Sequence, residues 1–217
     1  MSQREISKIC ADSLRNFSKE KYNTKIKAAH AHELVSAYFG YSSKNAMLAD
    51  SKFPIKNVSK AKIFVMVSSR DIDIRREQLI DISNSLPDSY TLGEAVYNPL
   101  FADNSLYKSE FPPFKSFEKL AIYYVQNSER WKSSFLVLGN FDLEHIVEVE
   151  KNEDVVKLTV NHCSRINEIE LRGLGQTVLT LKRVAGRVGF EKPHVQMEKW
   201  VGNARKVFKV KSGGQDV

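Results

Sequence analysis

Residues 24–50, TKIKAAHAHELVSAYFGYSSKNAMLAD, carry the strongest pattern in the chain, and their reading decides the fold of its first part. Ile26, Ala29, His30, Leu34, Ala37 and Tyr38 recur at intervals of three and four, which is the apolar stripe of an amphipathic helix. Thr24 offers a hydroxyl to cap its start, and Gly40 stands where a C-terminal cap belongs. Ser42 or Ser43 then caps a shorter helix carrying Ala46, Met47 and Ala49. The stretch therefore predicts two helices joined by a tight turn. It closes before Phe53-Pro54, because a residue preceding proline avoids helical geometry.

Upstream, Ile6, Ile9, Cys10, Leu14 and Phe17 place a further amphipathic helix over Ser2 to Ser18, ended by the polar run 19–23. Residues 1–52 thus form a helical module. Residues 53–217 read as an α+β domain, with helices mainly in 71–127 and strands mainly in 134–210. KIFVMV (62–67) is a buried strand by its β-branched, apolar run. Helices follow over Asp71–Ser85, Thr91–Phe101 and Phe117–Asn127, the second of them with Leu92, Ala95, Val96 and Leu100 inward. Residues 102–115, with Pro112-Pro113, form an ordered loop.

From Trp131 onward short strands are expected at Ser134–Leu138, Glu144–Glu150, Val155–Cys163 and Ile166–Leu171, the last two joined by a hairpin about Ser164 and Arg165. A turn at Gly173–Gln176 precedes strands at Thr177–Val184, Arg187–Phe190, Val195–Val201 and Arg205–Val210. The fold class is α+β: an N-terminal helical module, a mixed middle and a C-terminal antiparallel sheet.

Charge is unevenly spread. The net charge is +7, and between Leu171 and Lys211 ten Lys and Arg face only Glu191 and Glu198. Such an asymmetry invites a polyanion. Lys182, Arg183, Arg187, Lys199, Arg205, Lys206 and Lys209 are the phosphate-binding candidates, with Phe190 and Trp200 among them for stacking. The 142–170 segment is acidic, so pairing between acidic and basic strands is the structural alternative. No apolar run approaches the roughly 18 residues of a membrane span. The N-terminus has no apolar secretory core, and two distant cysteines, Cys10 and Cys163, suit a reducing compartment. A cytoplasmic protein without membrane partners is expected.

Chemical motifs are sparse. His30-Ala31-His32 lie about 200° apart on a helix and cannot share one ion. The HExxH zinc arrangement would need a histidine where Ser36 stands. His162 and Cys163, with His145 or His194, offer thiol and imidazole, but strand neighbours point to opposite faces. The glycines at 173–175 and 186–189 open no phosphate loop. No catalytic residue, metal site or cofactor is expected. A helix–turn–helix reading of residues 28–49 rests on Ser36, Gly40 and Ala46, with Ser43, Lys44 and Asn45 placed to contact nucleic acid.

Glu33, Leu34, Val35, Gly40, Tyr41, Ala46 and Leu48 give residues 30–50 a further aspect. The segment resembles the small helical module of bacterial proteins labelled glyoxalase-related. That resemblance implies a helical pair and a bacterial source, and it carries over no activity and no catalytic residue. The expectation is a non-enzymatic accessory protein binding DNA or RNA through a basic C-terminal face, within a larger complex. The alternative is an adaptor or inhibitor whose basic face meets an acidic protein.

Overall fold

A computed structural model describes residues 1–79, 85–101, 112–128, 143–165, 171–198 and 207–208. Its helices are α1 (Gln3–Tyr22), α2 (Ala28–Tyr38), α3 (Lys44–Ala49), α4 (Ser69–Gln78), α5 (Ser89–Phe101) and α6 (Phe117–Gln126), with a 3-10 helix at Ile55–Lys60. Its strands are β1 (Ile63–Phe64), β2 (Leu143–Lys151), β3 (Val155–Arg165), β4 (Leu171–Ala185), β5 (Gly189–Phe190), β6 (His194–Glu198) and β7 (Val207–Phe208). The class is α+β, with an antiparallel sheet in the C-terminal half. No helix among the described residues is long and apolar enough to cross a membrane.

Contacts divide the chain into two units. One comprises Met1–Ser116 with Lys182–Lys192, and the other Phe117–Leu181 with Pro193–Val217. The helices of residues 1–52 therefore share a unit with everything up to Ser116, rather than ending at a boundary near 52. The end of β4 and the turn after it return to that unit.

In the first unit α1 starts with a capping box, Ser2 Oγ accepting from the Glu5 N–H while Glu5 accepts from the Ser2 N–H. It runs to Tyr22, four residues past the expected end. Lys19–Tyr22 are all exposed, so their polarity does not stop the helix. Asn23 stops it, in the left-handed region at φ 50°. Thr24 does not cap α2; its hydroxyl donates to the Tyr22 carbonyl and shares a hydrogen bond with Ser85. Helix α2 buries Ala31, Leu34, Val35 and Tyr38, leaving His30 and His32 on its flanks, both half-buried. His32 Nδ1 lies 3.0 Å from Ser7 Oγ on α1.

Ser43 does cap α3 by accepting from the Ala46 N–H, and Met47 is that helix's buried residue. Gln3 ties α1 to the far end of α3 through the Leu48 and Asp50 carbonyls. Helix α5 buries all four residues expected, together with Tyr97. Tyr97 presents its ring edge-on to Phe64 at 5.0 Å and donates its hydroxyl proton to the Tyr38 carbonyl. Strand β1 is only two residues long, and Val65 continues it as a single bridge to Phe114. Helix α4 ends at Gln78 rather than Ser85, and Ile80 and Ile82 lie outside the described residues.

In the second unit β2 and β3 form an antiparallel hairpin closed at Asn152, whose N–H donates to the Val155 carbonyl. Ser164 and Arg165, expected as a hairpin turn, are instead the last residues of β3, and residues 166–170 of the strand expected after them lie outside the described residues. The turn expected at Gly173–Gln176 is also absent, because β4 passes through it. One face of β3 and β4 buries Val156, Leu158, Val160 and His162 with Thr177, Leu179 and Leu181. Helix α6 packs on β2 and β3, burying its own Leu120, Ala121 and Val125. The strand expected at 134–138 lies outside the described residues.

Candidate nucleic-acid interface

The two units differ sharply in charge. The first contains 21 Lys and Arg against 14 Asp and Glu, while the second contains 12 of each. The whole net charge of +7 therefore resides on the first unit. Lys182, Arg183 and Arg187, expected as part of a basic C-terminal sheet, belong to that unit through the end of β4 and the turn after it.

These residues meet a second basic segment there. Residues 51–70 contain Lys52, Lys56, Lys60, Lys62 and Arg70 and no acid at all. Residues 182–192 contain Lys182, Arg183, Arg187 and Lys192 against Glu191 alone. Strand pairing joins the two. Ile63 and Phe64 of β1 lie opposite Phe190 and Gly189 of β5, and Arg183 of β4 lies opposite Phe190. The Lys62 N–H donates to the Phe190 carbonyl at 2.8 Å, and the Glu191 N–H to the Lys182 carbonyl at 2.9 Å. Lys56, Lys60, Lys62, Lys182, Arg187 and Lys192 are all exposed.

The turn of this ladder is held by backbone. Gly186 sits at φ +55° and donates its N–H to the Phe53 carbonyl at 2.7 Å. The Arg187 N–H donates to the Phe39 carbonyl at 3.0 Å, which sets Arg187 against the α2–α3 turn. Beside it Tyr41 donates to Asp50 Oδ2 at 2.7 Å, and Asp50 Oδ1 accepts from the Lys52 and Phe53 N–H groups. Burial works to raise the Asp50 pKa. The Phe53 N–H, the Tyr41 hydroxyl, the Lys52 N–H and the Arg187 charge together outweigh it, so the carboxyl lies below its ordinary value.

The expected contact residues have mixed placements. Lys182 and Arg187 are exposed, but Arg183 is half-buried, with its guanidinium 5.9 Å from the centre of the Phe190 ring. Phe190 is fully buried and offers no stacking surface. Ser43 is occupied as the cap of α3, the Lys44 N–H donates to Glu33 Oε2 at 3.3 Å, and Asn45 is exposed. At six residues α3 is shorter than two turns. Lys199, Arg205, Lys206, Lys209 and Trp200 lie outside the described residues.

A second cluster lies in the other unit. His145 of β2 faces His162 of β3 in register, their Nδ1 atoms 3.2 Å apart, and His162 Nε2 lies 2.8 Å from Thr177 Oγ1 on β4. Burial and the neighbouring His145 push His162 down to about 4, so it is neutral in the fold. Thr177 is almost fully buried, as is His162, so a substrate has no access to the hydroxyl. Cys163 points to the other face, its thiol raised by burial and then by Glu144. His194 sits on β6 opposite Thr180. His162, Cys163 and His194 are thus not assembled around one point. Among the described residues no group of three or more His, Cys, Asp or Glu is placed to hold a metal ion.

Sequence reasoning counted the bases of 171–211 and overlooked those of 51–70. The signal was present as a twenty-residue run without an acid, but the run is spread among apolar residues and is brought beside residues 182–192 only through β1–β5 pairing. No protein-family model, no curated protein and no solved structure matches the chain.

Proposed function

We propose that this protein is a non-enzymatic, cytoplasmic accessory protein that binds nucleic acid through the β1–β5–β4 ladder of its first unit. One observation carries the reading. Two basic segments far apart in sequence are joined by strand pairing, and the unit containing them holds the entire net charge. Lysine and arginine side chains on such a surface neutralise phosphates and release counterions, the main source of sequence-independent affinity. Lys56, Lys60, Lys62, Lys182, Arg187 and Lys192 would make the contacts. Arg183 would act indirectly, by covering Phe190 and holding β4 against β5.

Fluorescence anisotropy with short labelled DNA and RNA tests the reading. At about 50 mM salt the wild type should bind at micromolar Kd or tighter. A Lys56→Ala, Lys60→Ala, Lys182→Ala, Lys192→Ala variant should bind at least about tenfold more weakly while keeping its circular dichroism. Absence of binding by the wild type at that salt would overturn the reading in favour of an adaptor that meets an acidic protein.

A further inference from the structure

The two basic segments hold a single acid, and strand pairing puts it in their midst. Residues 51–70 carry none, and residues 182–192 carry only Glu191. Phe190 of β5 lies opposite Arg183 of β4, so Glu191 follows opposite Lys182, and its N–H donates to the Lys182 carbonyl at 2.9 Å. On the other side the Lys62 N–H reaches the carbonyl of Phe190, the residue before Glu191, at 2.8 Å. Lys192 comes directly after. Phe190 is buried, so Glu191, next along the strand, turns to the outer face. Lys62, Lys182, Glu191 and Lys192 are all exposed. With strands about 4.8 Å apart, base, acid and base succeed one another across about 10 Å of the ladder.

A carboxylate in this position opposes phosphate binding, because it sets a like charge beside the ligand. Nor does it serve as a fixed partner for the lysine it faces. Among the described residues the Glu191 carboxylate forms no ion pair and no hydrogen bond. What it offers a nucleic acid is acceptance of a hydrogen bond. The donor that stands among the phosphates, rather than at a base edge, is the ribose 2′-hydroxyl, which DNA lacks. Along an RNA strand phosphate, hydroxyl and phosphate alternate, in the same order as base, acid and base here. An RNA duplex displays these hydroxyls in a wide, shallow minor groove, open to an exposed strand surface. We infer that Glu191 is the specificity-determining residue of this surface. Its carboxylate accepts from a ribose 2′-hydroxyl while lysines on either side hold the flanking phosphates, and the partner is RNA. This inference rests on the nucleic-acid reading above and adds the sugar that the surface selects.

The test measures Kd for three duplexes of one sequence, about 20 base pairs long, with the full chain at one salt concentration near 100 mM. They are RNA, DNA and 2′-O-methyl RNA, the last keeping the RNA helix form but having no hydroxyl proton to donate. The wild type should bind RNA at least about fivefold more tightly than either of the others, the effect of one hydrogen bond to a charged group. In Glu191→Ala, whose side chain is exposed and leaves the core untouched, the three should bind within about twofold of one another. Equal binding of RNA and DNA by the wild type, or tighter binding of DNA, overturns the inference but leaves nucleic-acid binding standing. So does an RNA preference that survives in Glu191→Ala, or 2′-O-methyl RNA bound as tightly as RNA, which would mean that helix form and not the hydroxyl is recognised. Failure to bind any probe overturns this inference and the proposed function together.

Discussion

Gly40 and Arg187 occupy space that leaves no room for one more carbon. A Cβ on Gly40 would lie 2.6 Å from the Cβ of Arg187, and Gly40 itself sits at φ +81°. The same close approach lets the Arg187 N–H reach the Phe39 carbonyl. A turn between two N-terminal helices and a turn near residue 187 are thereby locked together, and Arg187 is delivered to the basic ladder.

Gly40→Ala should accordingly destabilise the first unit by roughly 2–3 kcal/mol, combining a left-handed alanine with displacement of Arg187. Chemical denaturation followed by circular dichroism checks this. A loss below about 0.5 kcal/mol would show that the contact is relieved at little cost.

The Tyr41–Asp50 pair makes a second stability prediction. Asp50 holds the chain after α3 by accepting two backbone N–H groups as well as the Tyr41 hydroxyl. Asp50→Ala should cost roughly 2–3 kcal/mol, and Tyr41→Phe about 1 kcal/mol, since water can reach the half-buried carboxylate. If the two variants proved equally damaging, the backbone contacts of Asp50 would not be its main role.

The histidine pair predicts a pH dependence. His162 lies at about 4 in the folded chain, against about 6.5 when unfolded. The unfolded state therefore takes up the proton first. Stability is undiminished above about pH 6.5 and falls as the pH drops towards 4, by up to about 3 kcal/mol. In His162→Gln the part of the pH slope between 6.5 and 4 due to this group should vanish, with lower stability at pH 7 because Thr177 and His145 lose their partner. Equal slopes in wild type and variant would contradict the assignment of a neutral, buried His162.

Much of the fold was legible because its helices obey simple periodicity. Leu92, Ala95, Val96 and Leu100 on α5 are buried where the spacing puts them, and on α6 the same spacing places Leu120, Ala121, Tyr124 and Val125 inward, of which all but the half-buried Tyr124 are buried. The misreadings have local causes. Ser164-Arg165 and Gly173–Gln176 contain residues common in turns, yet they lie within β3 and β4, because pairing with neighbouring strands overrides local preference. Thr24 looked like a cap because a hydroxyl preceded an apolar stripe, but α2 starts four residues later and the hydroxyl bonds elsewhere. The site was half legible. Lys182 and Arg187 could be named from charge alone, whereas Lys56 and Lys60 gain their meaning from a two-residue strand pairing that no periodicity reports.

The central claim is that the two basic segments act as one surface, and the salt dependence of duplex binding tests it most directly. Six exposed bases set a limiting slope of about −5 in log Kobs against log salt. Lys56→Ala with Lys60→Ala, and separately Lys182→Ala with Lys192→Ala, should each make the slope shallower by between about 1 and 2, and the four together by about the sum. If either pair of substitutions leaves the slope of the wild type unchanged, the two segments do not share a partner and the account is wrong.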